Sequence, residues 1–178
     1  MSAPDPEKVA RFIEGGRAWV RQQRDLHRSL GQSFTAEFRR TLPFFPPSLL
    51  ERVRWRAVPV LPNPPFVAQA AAMGLDLDFS KMDGITFDDT FLITIAAGQG
   101  ADPGALVFHE LVHVVQYSVL GVDEFVEQYA TGLIASRDYH AIPLELVAYA
   151  CQARFIDNRA QAFSVQDVVQ KTVGLRHT

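Results

Sequence analysis

The chain has 178 residues, 48% of them apolar, which suits one domain, or one domain with an N-terminal extension, around an ordinary core. A single cysteine, Cys151, excludes an internal disulfide and a cysteine-based metal site, and the absence of any run of eighteen apolar residues predicts no membrane span. Net charge is −3, but residues 1–60 carry eleven Lys or Arg against six acidic residues (+5), while residues 61–178 carry six against fourteen (−8).

The start, Met1-Ser2-Ala3-Pro4-Asp5-Pro6, lacks a basic region followed by an apolar run. The expected compartment is therefore the cytoplasm, unless a dedicated secretion machine exports the chain without a cleaved signal. Residues 6–30 read as a helix, with Val9, Phe12, Ile13, Val20 and Leu26 at helical spacing and Gly31 as a stop. Gly15-Gly16 is expected to kink or interrupt it. Arg11, Arg17, Arg21, Arg24 and Arg28 run along the same helix and read as its solvated face. No aromatic–basic motif accompanies them, so nucleic acid is not an expected partner.

A shorter helix is predicted over 34–41. Seven prolines between Pro43 and Pro65 exclude one regular element there, but leave room for a short helix and a strand over 53–58. Phe44-Phe45 is expected to pack back on the core, and the proline-rich segment is the place for a docked protein partner, if there is one. Residues 66–74 read as a short helix or an ordered loop. Ile85-Thr86-Phe87, Asp88-Asp89 and Thr90–Ile95 read as a β-hairpin. Asp102 and Pro103 open a helix that runs to about 120 and stops at Gly121. Asp123 is expected to cap a helix over 124–135. Pro143 starts another, to about 160, with Cys151 on its apolar side, and Ser164-Val165-Gln166-Asp167 is a capping box before a last short helix.

The predicted fold class is α+β: a mostly helical domain with a small antiparallel sheet or hairpin beside the 103–120 helix. Residues 1–75 form an N-terminal helical and proline-rich segment packed on or covering a core of residues 76–178, the whole being one compact domain.

The chemistry concentrates in His109-Glu110-Leu111-Val112-His113, which reads H-E-x-x-H. Residues four apart share a helix face, so both imidazoles reach one metal ion. Glu110 can then aim its carboxylate at a water activated by zinc and take its proton. The flanking Ala105-Leu106-Val107-Phe108 and Val114-Val115 make the helix apolar almost all round, and therefore buried. Two histidines and a glutamate in such a helix need partners, because unpaired buried polar groups cost several kcal/mol.

A catalytic zinc holds three protein ligands. Glu145, early in the Pro143 helix, is the candidate third, with small Ala148 one turn on allowing close approach; the helix dipole alone would also explain a first-turn glutamate. His140 is the alternative third ligand. The metzincin pattern is excluded, since Gln116 and Val119 occupy its glycine and histidine positions. His27 is distant in sequence, and His177 stands in a tail expected to be mobile. The hairpin either offers an edge to an extended substrate or simply covers the core.

Phe108–Tyr117, with the core H-E-L-x-H-V-x-Q, and Pro143-Leu144-Glu145-Leu146-Val147-Ala148 resemble a little-characterised bacterial family of H-E-x-x-H proteins, glutamate-zincin-like metallopeptidases. The resemblance covers about residues 80–160; none is recognised in residues 1–75. It implies one zinc ion per chain held by His109, His113 and Glu145, with Glu110 as general base, and it supplies no particular substrate beyond a peptide or protein. Tyr139 and His140, just before the Glu145 helix, are the expected donors to a tetrahedral oxyanion, and Asp157 is a candidate outer partner of a ligand histidine. Two other readings stay open: a metal-stabilised binding module without turnover, and a hydrolase of non-peptide amides. A further open reading is an N-terminal third that covers the cleft and keeps the enzyme latent.

Overall fold

The computed structural model describes residues 5–40 and 42–174, so His177 and Thr41 lie outside the described residues. Helix α1 (Pro6–Arg28) begins where Asp5 accepts a bond from the Glu7 amide and Pro6 takes the first turn. Short helices α2 (Ala36–Arg40) and α3 (Pro47–Arg52) lead into strand β1 (Arg54–Val58). Helix α4 (Val67–Ala72) precedes the hairpin β2 (Gly84–Phe87) and β3 (Thr90–Thr94). Then come α5 (Ile95–Gly98), α6 (Pro103–Ser136), α7 (Pro143–Asp157) and α8 (Val165–Gly174).

The fold is mostly helical with one small sheet, as the α+β reading expects. The sheet is mixed rather than purely antiparallel. Its order is β1-β3-β2, with β2 antiparallel to β3 and β1 parallel to it, in register from Arg54↔Thr90 to Val58↔Thr94. Some thirty residues separate β1 from β3, enough for the crossover that a parallel pair needs. β3 is buried on both faces: Leu92 packs with Trp19 and Phe87, while Phe91 and Ile93 face the cluster around Phe108. That two-sided burial is why its sequence is continuously apolar.

The two apolar clusters each draw on residues before and after position 75. Phe44 and Phe45 do pack into the core, where both rings meet Phe108, and Phe108 stacks on Phe155 at 4.3 Å. Gly15-Gly16 does not interrupt α1. A β-carbon on Gly15 would stand 3.2 Å from the Phe66 ring and one on Gly16 would stand 2.9 Å from Val126, so the pair is a notch for close packing. The arginines of α1 are a solvated face only in part: Arg11 and Arg21 are exposed, but four of the five reach carboxylates on other elements. Arg17 bonds Glu14 and Glu127 at 2.6 Å, Arg21 pairs with Asp123, and Arg24 and Arg28 hold Asp89 at the hairpin turn.

α6 is one run with a break at Gly121, whose φ of 75° and ψ of 166° no L-residue adopts easily. The predicted stop at Gly121 is therefore a one-residue break, and the helix resumes without a cap from Asp123, whose carboxylate goes to α1. By length and composition α6 would also cross a bilayer, but 61% of its most apolar stretch is buried in the fold, so packing accounts for its apolarity.

Candidate metal centre

Every residue from Phe108 to Tyr117 is buried, so the H-E-x-x-H turn lies wholly inside the fold. α7 comes close to α6 for two local reasons. Ala148 is fully buried between the helices, and Gly132 leaves room for Pro143, whose ring a β-carbon there would meet at 2.9 Å. Glu145 is thereby delivered to the two histidines at 1% exposure. The Nε2 atoms of His109 and His113 stand 3.1 Å apart, and Oε2 of Glu145 is 3.2 Å from the first and 3.4 Å from the second.

The triangle can be tested as a cation site. Gln116 donates from Nε2 to the Leu144 carbonyl at 2.9 Å, which turns its Oε1 to His113 Nδ1 at 2.8 Å. His113 therefore donates from Nδ1, and in the neutral ring its Nε2 carries a lone pair pointing at His109 and Glu145. Two imidazole nitrogens and one carboxylate oxygen therefore converge on one point, as the ligands of a cation would. Donors about 2.0–2.2 Å from a tetrahedral metal lie roughly 3.3 Å from one another, which matches all three sides of the triangle. Two imidazoles and one carboxylate could thus hold a metal ion. Without a metal, a proton takes that place. Although burial opposes it, Glu145 pushes His113 up to about 9. Glu145 is held well below the usual carboxylate range, its desolvation outweighed by both imidazoles.

The surroundings fix each group. Tyr129, from the second half of α6, donates to Glu145 Oε1 at 2.8 Å. Thr86 of β2 donates to Glu110 Oε2 at 2.7 Å. Gly84 lies so close to Glu110 that a β-carbon would stand 2.8 Å from Cδ. Burial pushes the Glu110 acid up, against the pull of His109 and His113. Among the described residues, buried His109 Nδ1 has no hydrogen-bond partner of the kind Gln116 gives His113. A cleft of about 700 Å³ opens on His109 and Glu110, lined also by Tyr139, His140 and Tyr149.

Of the sequence-predicted residues, the structure brings His109, Glu110, His113 and Glu145 together. Tyr139 and His140 lie on the cleft in the turn Tyr139–Ala141, Tyr139 half-buried and His140 exposed. Burial next to Glu145 raises the Tyr139 phenol far above its ordinary value. His140 is not part of the cluster, and Glu145 occupies the place for which it was the alternative. Asp157 is exposed, and the outer partner of a ligand histidine is Gln116 instead. Gln116 and Tyr149 were within reach of helical spacing, being i+3 from His113 and i+4 from Glu145; the Tyr149 ring lies 4.6 Å from that of His109. Thr86, Gly84 and Tyr129 carried no such signal, because they sit on other elements. No family model, curated protein or solved structure matches this chain.

Proposed function

We propose that the chain is a zinc-dependent peptidase. The observation that carries this reading is the buried His109–His113–Glu145 triangle with Glu110 beside it, facing an open cleft. Zinc, when bound, supplies Lewis acidity, making a water acidic near neutral pH and polarising a carbonyl. His109, His113 and Glu145 hold it, and Gln116 and Tyr129 orient the ligands. Glu110 takes the water's proton on its carboxylate and passes it to the leaving amine, while Thr86 and the gap at Gly84 keep that carboxylate in place. Tyr139, His140 and Tyr149 line the cleft where a donor to the developing oxyanion is needed. β2 is an outer strand of the sheet and bonds Glu110 through Thr86, so an extended peptide paired to its free side runs past the general base.

The deciding experiment is metal content by mass spectrometry together with peptide hydrolysis, on the parent, Glu110→Gln and Glu145→Ala. The expected result is about one zinc per chain in the parent and Glu110→Gln, less in Glu145→Ala, and hydrolysis in the parent alone. Zinc in the parent with equal hydrolysis by Glu110→Gln would refute the mechanism. Zinc without hydrolysis of any peptide would leave a structural metal site on a binding module.

A further inference from the structure

We infer that α1 is a wall of the substrate site, closing an apolar pocket that takes one leucine-sized side chain beside the bond to be cut. This rests on the peptidase reading above and adds a substrate class to it. A cavity of about 100 Å³ opens on Glu110, His113 and Glu145. Phe12, Trp19 and Val20 of α1 form one side of it, with Phe66, Phe79 and Val126 around them. The wide cleft on the other side of Glu110 is different in character: Asp76, Asp78, Asp83 and Asp138 line it, and among the described residues none before Asp76 does. Met82, Gly84, Glu110, Leu133 and Tyr139 line both spaces, so they form the throat where the two meet, and the general base is part of that throat.

Three physical points select the occupant. Protein cores close-pack, so an apolar space of this size at the reactive group is not an ordinary packing defect. Cavities lined by apolar side chains stay dry and admit apolar guests, and one of about 150 Å³ holds a benzene ring. Most of the lining is apolar, and Glu110 and Tyr139 stand at the throat, so the guest is an apolar side chain whose own backbone stays at the throat, next to Glu110. Gly16 of α1 also lines this space, and there the helix packs closely on Val126, whose side chain a β-carbon would meet at 2.9 Å. The N-terminal helix therefore selects what binds; it does not cover the cleft.

The test titrates a series of alkyl hydroxamates, from acetyl to 4-methylpentanoyl, into the full chain by NMR, with zinc and without. The increment per carbon, and not the absolute affinity, is the readout. The expected result is a gain of about fourfold per added carbon, the transfer value for a buried methylene. Ala130→Leu, which fills the pocket, should abolish the gain along the series. Val126→Ala, which enlarges the pocket, should move the preference to 3-phenylpropanoyl. It also decides the matter if Ala130→Leu fails to fold. A flat series in the parent, or a gain that neither variant changes, would overturn the pocket. The two readings separate cleanly. A steep series with no peptide cleaved keeps the pocket and removes the peptidase; cleavage indifferent to the neighbouring residue with a flat series does the reverse.

Discussion

Gly84→Ala puts a single methyl group against the Glu110 carboxylate, and its effect can be worked out from the geometry. The new β-carbon would stand 2.8 Å from Cδ and 3.1 Å from Cγ of Glu110. Carbons rest comfortably at about 3.5–4.0 Å, so the carboxylate has to retreat by about 1 Å. Glu110 is 3% exposed, and its Oε2 accepts from Thr86 at 2.7 Å, so the retreat strips a buried carboxylate of its bond. A hydrogen bond to a charged group contributes about 1.5–3 kcal/mol. Against that, replacing glycine by alanine stiffens the unfolded chain and stabilises by about 0.4–1 kcal/mol, with no penalty from φ at this strand position. The clash wins, and a net loss of about 1–2 kcal/mol is expected from urea denaturation, with zinc content unchanged. Peptide hydrolysis should fall about 100-fold, the usual consequence of a 1 Å misplacement. The decisive control is the same substitution in a Glu110→Ala background, where the obstacle is gone and only the stabilising term remains. Equal changes in stability in the two backgrounds would refute the reasoning, because the clash would then not be with Glu110.

Gln116→Leu removes the acceptor of His113 Nδ1 and should weaken zinc binding by about 10–100-fold in a competitive chelator titration, with the helix intact. Phe108→Ala empties the place where Phe44, Phe45 and Phe155 meet one buried ring, and should cost about 3–5 kcal/mol in urea denaturation. His27 gives a pH signature away from the metal site. Burial first, and Arg56 second, lower its pKa, so the unfolded chain binds a proton more readily than the folded one. Stability should therefore decline as pH falls below about 6.5 and level off once the folded-state pKa is passed. His27→Gln should flatten that stretch of the stability–pH curve, and an unchanged slope would show that His27 is not its source.

The parts of this molecule legible in its sequence are those governed by short spacing. The two histidines and Glu110 share one helical turn, and Glu145 follows Pro143 in a first turn that proline announces. Helix starts at Asp102-Pro103 and Pro143, the hairpin around Asp88-Asp89 and an interruption at Gly121 were read for the same reason. What the sequence did not disclose depends on which element lies beside which. Nothing local distinguishes Thr86 from the threonines at 90 and 94, yet its hydroxyl alone meets Glu110. The parallel pairing of β1 with β3 is set by a crossover and leaves no local pattern. The arginines of α1 repeat at helical spacing whether they face water or, as here, carboxylates on α6 and the hairpin. Gly15-Gly16 carries the same ambiguity, since a glycine pair serves a kink and a close contact equally well.

The break at Gly121 ties these observations to the chemistry. An unbroken helix would carry Tyr129 away along the axis of the first half, because residues sixteen apart lie about 24 Å from each other along a straight α-helix. With one residue at positive φ, the second half turns back, and Tyr129 reaches the same carboxylate that His109 and His113 face. Glu145 is thus gripped by both halves of one helix: its Oε1 by a phenol, its Oε2 by two imidazoles. Burying a carboxylate at 1% exposure is costly unless every lone pair has a partner. The phenol satisfies one oxygen. The other points at nitrogens that share its need for a cation, so the core is balanced only when a proton or a metal ion sits between them. A metal ion held there would contribute to folding, since its binding free energy would become part of the stability of the fold.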